Sequence, residues 1–182
     1  MSPRLDCLQA LRDKTLYVRL MTPRDFFPHV PDEMFDMWLA PLIQEIGWPF
    51  SDLNASLLGS RWELLLSQIP LSTWYQLNWE LSKIEIVKIK SNFNVATLDG
   101  IESIINHCAF GLDTPVANLP NTKERFRAIA DYIRIHKTIP KPVVLIYRSR
   151  RVEIMDGCHR FASLFHVGVP DDYKLPNWHP VL

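Results

Sequence analysis

Five consecutive residues, Asp156-Gly157-Cys158-His159-Arg160, combine side chains that bind anions with side chains that react. Arg160 offers a planar fork of donors matched to phosphate, and His159 adds a further donor. Cys158 is a candidate nucleophile. Asp156, or Glu153 three residues before it, can orient a metal ion or an acceptor hydroxyl. Such a set suits phosphoryl transfer or hydrolysis, where placement and charge neutralisation do most of the catalysis.

These side chains need a frame, and the flanking residues supply one. Val152-Glu153-Ile154-Met155 reads as a strand, and Phe161 to Val167, closed by Gly168, reads as a helix. Strand, glycine turn and helix gather backbone N–H groups and the positive helix end around one point. Upstream, the continuous apolar run Val143 to Tyr147 is a buried strand, joined through the polar Arg148-Ser149-Arg150-Arg151 to form a hairpin. Asn121-Thr122-Lys123-Glu124 has the form of a capping box, opening a helix with Phe126, Ile129, Ala130 and Ile133 as its buried stripe. Ile139-Pro140-Lys141-Pro142 stops that helix.

Ile84 to Lys90 alternates as a half-buried strand, so strands at 84–89, 143–147 and 152–155 should share one sheet. Asp99 is placed to cap a short helix with Ile101, Ile104, Ile105 and Cys108 on one face. Ala109 to Pro120 reads as a loop. The tail from Val169, with Pro170, Pro176 and Pro180, should wrap over the surface with at most one short strand. The fold class is therefore mixed α+β over 83–182, preceded by a helical region over 1–80. In that first region Asp32 is placed to cap a helix through Phe35, Trp38, Leu39, Leu42, Ile43 and Ile46, with a kink or a break into two short helices at Pro41 and a stop at Gly47. A second helical run covers Ser60 to Gln68. Trp38, Trp48, Trp62, Trp74 and Trp79 make this half rich in tryptophan, as a core or as a surface for a protein partner.

Composition narrows the function classes. In 182 residues, 20 basic side chains balance 20 acidic ones, which argues against a general DNA binder. No apolar run approaches a membrane span, and the opening MSPRLDCLQALRDK is too charged for a signal peptide. Cys7, Cys108 and Cys158 are odd in number and widely spaced, so a reducing, cytoplasmic setting is expected rather than a disulfide framework. His159, His166 and His179 lack paired metal-ligand spacing.

The order of helix 121–136, Ile-Pro linker, strand 143–147, second strand, Asp-Gly-Cys-His-Arg and helix resembles the ParB/sulfiredoxin-like fold over residues 83–168. Gly157-Cys158-His159-Arg160 followed by Phe161-Ala162 is similar to the sulfiredoxin signature. Asp156 ahead of it is similar to the box of ParB-type domains and of the free-serine kinases related to them. The resemblance implies a small sheet with packed helices that binds a nucleoside triphosphate, ATP first among them, with Mg2+. Gly157, His159 and Arg160 would wrap the phosphates. Lys88 would stand for the basic residue of an earlier strand, and Lys123 or Arg125 for the polar groups of the preceding helix. Ala128 and Tyr132 replace the small hydroxyl residues of sulfiredoxins and Val143 replaces their acid, so peroxiredoxin repair is not expected. No helix-turn-helix follows the box, so a partition role is not expected either. Cys158 keeps two readings, a nucleophile with a raised thiolate fraction beside Arg160 or a residue that merely fits. Two function classes follow: an ATP-dependent phosphotransferase or nucleotide hydrolase acting on an unidentified acceptor, or a non-catalytic module that holds nucleotide or DNA phosphates.

Overall fold

The computed structural model describes residues 22–46, 73, 76–118, 121–148 and 151–181. The chain divides into two compact units, Met1–Trp79 with Leu182, and Glu80–Val181. The helix expected over Ser60 to Gln68, the stop at Gly47, and Trp48, Trp62 and Trp74 lie outside the described residues.

In the first unit, Thr22 caps α1 (Pro23–Phe26) through a reciprocal bond with Asp25. Helical backbone then runs through α2 (Asp32–Met34), a π segment (Phe35–Leu39) and α3 (Ala40–Ile46). Pro41 explains the π segment. It has no N–H to continue the ladder, and the chain widens just before it, with the Ala40 N–H bonded to Phe35 O. The expected kink is thus absorbed as a wide turn. Met34, Trp38, Leu39 and Leu42 are buried, and the Trp38 and Trp79 rings meet edge to face at 6.0 Å.

The second unit is a mixed α+β layer structure. Its elements are β1 (Asn78–Glu85, whose first two residues belong to the first unit), α4 (Ile86–Lys90), α5 (Val95–Phe110) and a 3-10 turn (Pro115–Asn118). There follow α6 (Thr122–His136), β2 (Val143–Arg148), β3 (Arg151–Asp156), α7 (Cys158–Val167) and β4 (Lys174–Val181). The four strands form one sheet in the order β1-β4-β2-β3. Strands β2 and β3 make the expected antiparallel hairpin, and β2 runs parallel to β4 with Val143 opposite Asn177 and Val144 opposite Trp178. Helices α5, α6 and α7 pack on one another over a single core that includes Ile104, Phe126, Ile133, Leu145, Phe161, Leu164 and Leu175. Each such side chain contributes roughly 1.5–3 kcal/mol on full burial.

Five expectations are corrected. Asp32 is the first helical residue of α2 and not its cap: Pro31 holds that position, with no side-chain cap. The strand expected over 84–89 ends at Glu85, and α4 takes over, because Ile86 and Ile89 are three apart and both buried while Val87, Lys88 and Lys90 face solvent. Asn94, not Asp99, caps α5, its Oδ1 accepting from the Thr97 N–H at 2.7 Å. Asn121 adopts φ +56° and makes no side-chain cap, so the capping box is not formed although α6 begins where expected. The tail is an eight-residue strand between β1 and β2. Pro176 and Pro180 both fall outside the two pairs of its ladder to β2, Val143 with Asn177 and Val144 with Trp178. Among the described residues, no helix is long and apolar enough to cross a membrane.

Candidate functional site

Asp156 ends β3 and Cys158 begins α7, so the box is the corner between them. Gly157 makes the corner. Its φ of +115° is one that L side chains rarely adopt, and a Cβ there would sit 2.6 Å from Val143 Cγ1. The helix starts with the Phe161 N–H bonded to Gly157 O at 3.0 Å, and Gly157 brings no side-chain cap to its first turn. Cys158 is exposed at this corner and His159 is half-buried.

A bulge interrupts the β2–β3 ladder just before the corner. The register pairs Val144 with Asp156 and Leu145 with Ile154, passing over Met155. On a regular strand Glu153 and Asp156, an odd number apart, face opposite ways. Here they lie opposite Ile146 and Val144, two residues of one face of β2. The extra residue leaves Asp156 at the end of the strand, where its carboxylate meets Arg160 of α7.

Arg160 is turned inward. Its side chain is 10% exposed, Nη2 donates to Asp156 Oδ2, and Nη1 lies 3.5 Å from the carbonyl oxygen of Lys141. The fork expected to reach a phosphate instead ties the end of β3 to the Pro140–Pro142 linker. The reason is local: Asp156 is one helical turn away, and Arg160 falls on the buried face of α7 with Phe161 and Leu164. The Lys141 carbonyl was not legible beforehand, since backbone acceptors leave no trace in residue type.

The three remaining basic candidates are placed elsewhere. Lys88 lies on α4, not on a strand, 65% exposed and 3.0 Å from Glu85 Oε2. Ser163 Oγ donates to Phe126 O, and the Phe126 ring meets His166, so the start of α6 packs against the end of α7. Lys123 lies on the first turn of α6, one turn before Phe126. Its field, with that of Arg127, reaches Cys108, whose thiol is nonetheless pushed up by burial. Arg125 is exposed on the same first turn of α6. The structure thus joins Asp156, Gly157, Cys158, His159 and Arg160 at one corner, with Glu153 three residues back along β3, Lys88 on α4, and Lys123 and Arg125 on α6.

An open depression of about 600 Å³ lies over residues 91–96 and Arg151. Arg151 starts β3 and Asp156 ends it, so this hollow is at the other end of the strand and includes none of the box. Among the described residues, no three His, Cys, Asp or Glu side chains converge to hold a metal ion. No family model, curated protein or solved structure matches the chain.

Proposed function

We propose that the corner between β3 and α7 binds a nucleoside triphosphate, ATP before others, and that the protein transfers or hydrolyses its terminal phosphoryl group. The observation that carries this reading is a glycine corner at the start of α7, open at Cys158 and flanked by the partly exposed Asp156 carboxylate. In this reading the phosphates meet the first-turn N–H groups of α7 and His159 directly. Arg160 contributes positive charge from beneath and holds Asp156 in place. The likeness of the Asp-Gly-Cys-His-Arg box to those of ParB/sulfiredoxin-like proteins supports the same ligand.

Mg2+ fits the donors present. It takes one or two carboxylates together with substrate phosphates, and the Asp156 side chain is 37% exposed beside the turn. Mg2+ would neutralise phosphate charge there, while Asp156 or Glu153 orients the acceptor hydroxyl. Titration calorimetry with ATP, ADP, CTP and GTP, each with and without Mg2+, tests the proposal. A charge-assisted hydrogen bond contributes roughly 1.5–3 kcal/mol, so His159→Ala should weaken triphosphate binding by about ten- to a hundredfold. Failure of every nucleotide to bind would remove this reading. It would leave the non-catalytic interaction module, which the inward engagement of Arg160 favours.

A further inference from the structure

A second group of reactive side chains gathers on β1, β4 and β2, away from the box in sequence. Ser82 Oγ lies 3.3 Å from His179 Nδ1 and 3.3 Å from Asn177 Nδ2. Asn177 Oδ1 lies 3.4 Å from the Tyr147 hydroxyl, and the Tyr147 ring meets the His179 ring edge to face at 5.4 Å. Asn177 is fully buried, Ser82 and His179 are half-buried, and Tyr147 is 39% exposed. The group is anchored from within and reachable from outside.

The bonds have one consistent direction. Asn177 Nδ2 also faces two backbone carbonyls, of Ser82 at 3.4 Å and of Leu175 at 3.3 Å, so the amide nitrogen must stand on that side. Oδ1 is then left to accept from the Tyr147 hydroxyl. Burial pushes the Tyr147 hydroxyl up to about 12, which keeps it a donor across the physiological range. Asn177 Nδ2 has two hydrogens for three acceptors; with one of them on Ser82 Oγ, the Ser82 hydrogen is free to turn to His179 Nδ1, which accepts it in the tautomer protonated on Nε2. A chain of bonds pointing one way polarises its last member, here the Ser82 O–H aimed at an imidazole base. A nucleophile within hydrogen-bond reach of a base, both held by a third group, is the arrangement that activates serine.

We propose that Ser82 is a nucleophilic serine that takes the acyl group of small carboxylic esters, with His179 as its base. Ser82 Oγ bonds to the ester carbonyl carbon while its proton passes to His179 Nδ1. The carbon–oxygen bond to the alcohol breaks, and the departing oxygen takes that proton. Water, giving its proton to the same nitrogen, then bonds to the acyl carbon; the bond from that carbon to Oγ breaks, and Nδ1 returns the proton to Oγ, releasing the acid and restoring Ser82. Asn177 and Tyr147 are positioning residues. This activity is independent of the phosphate reading, since none of the four side chains belongs to the box.

The test is covalent labelling of the full chain with a fluorophosphonate, and separately with p-nitrophenyl acetate under acid quench, followed by peptide mass spectrometry. The expected result is a phosphonyl or acetyl adduct on Ser82. His179→Gln should slow labelling by about 10²–10⁴-fold, the usual contribution of a general base. Tyr147→Phe should slow it less. Wild-type protein with no adduct on Ser82 overturns the proposal, and this outcome does not depend on any variant folding. Equal labelling of wild type and a folded His179→Gln protein also overturns it.

Discussion

The corner at Gly157 and the polar group around Asn177 hold their side chains in place by different means. At the corner a charged pair, Asp156 with Arg160, spans a backbone that only glycine can turn. Around Asn177 the contacts are neutral hydrogen bonds across three strands, with no special backbone. The corner concentrates its constraint in five adjacent residues, and one substitution there should be costly. The strand group spreads its constraint over bonds worth about 1 kcal/mol each, so single losses should be graded.

The sharpest way to break this contrast is Gly157→Ala. The positive φ costs roughly 1–3 kcal/mol, and forcing Val143 aside costs a similar amount. Urea unfolding should show a loss of about 2–5 kcal/mol in the second unit. An alanine variant as stable as wild type would mean that the corner is not constrained by its backbone.

Asp156→Ala should come next. It leaves the Arg160 guanidinium mostly buried beside the Lys141 carbonyl alone. Breaking a buried pair costs about 3–5 kcal/mol, but Asp156 is partly solvated, so about 1–3 kcal/mol is expected here. Apo melting temperature checks this without any ligand. Arg160→Ala should lower it as well, which a purely ligand-directed arginine would not do.

A smaller effect should appear at high pH in the strand group. The Tyr147 hydroxyl is raised by burial from 10.0 to about 12 in the folded protein. A raised folded value means that its contribution is present below about pH 10 and is lost as pH rises toward 12. Melting curves of wild type should therefore fall more steeply over that window than those of Tyr147→Phe. Parallel curves would show that the hydroxyl is not held as a donor.

Cys158→Ser should have the least effect of all. The side chain is exposed at the first position of α7, so stability should move by less than about 0.5 kcal/mol. Nucleotide affinity should be largely kept. Loss of phosphoryl-transfer activity with affinity intact would instead identify Cys158 as a covalent participant.

The same contrast explains what could be read from residue order. The corner, the hairpin and α6 were legible because each is written in neighbouring residues: apolar Val143 to Ile146, the stripe Phe126–Ala130–Ile133, and the glycine between acid and helix. Ile84 to Lys90 was not, because Ile84 and Ile86 fit a strand while Ile86 and Ile89 fit a helix, and the burial of the latter pair decided it. The last strand was hidden by Pro176 and Pro180, whose cost depends on which neighbour it pairs with. Ser82, Tyr147, Asn177 and His179 had no signal at all, since only the β1-β4-β2 order brings them together. Arg160 was legible as a charged anchor, but its direction was set by burial.

That strand order has a consequence for how the chain reaches its folded state. The β2–β3 hairpin closes over a few residues and can form early, on the microsecond scale of local events. Strand β4 is last of the four in the chain yet lies between the first and the second. Until it inserts, β1 has no neighbour among the described strands and β2 has an open edge. The sheet therefore cannot mature outward from the hairpin alone. Its completion waits on contacts as distant as Ser82 with Asn177, whose high sequence separation makes folding slow relative to the helices that cover the core. During that delay the open flanks of β1 and β2 are the surfaces where one chain can wrongly pair with another.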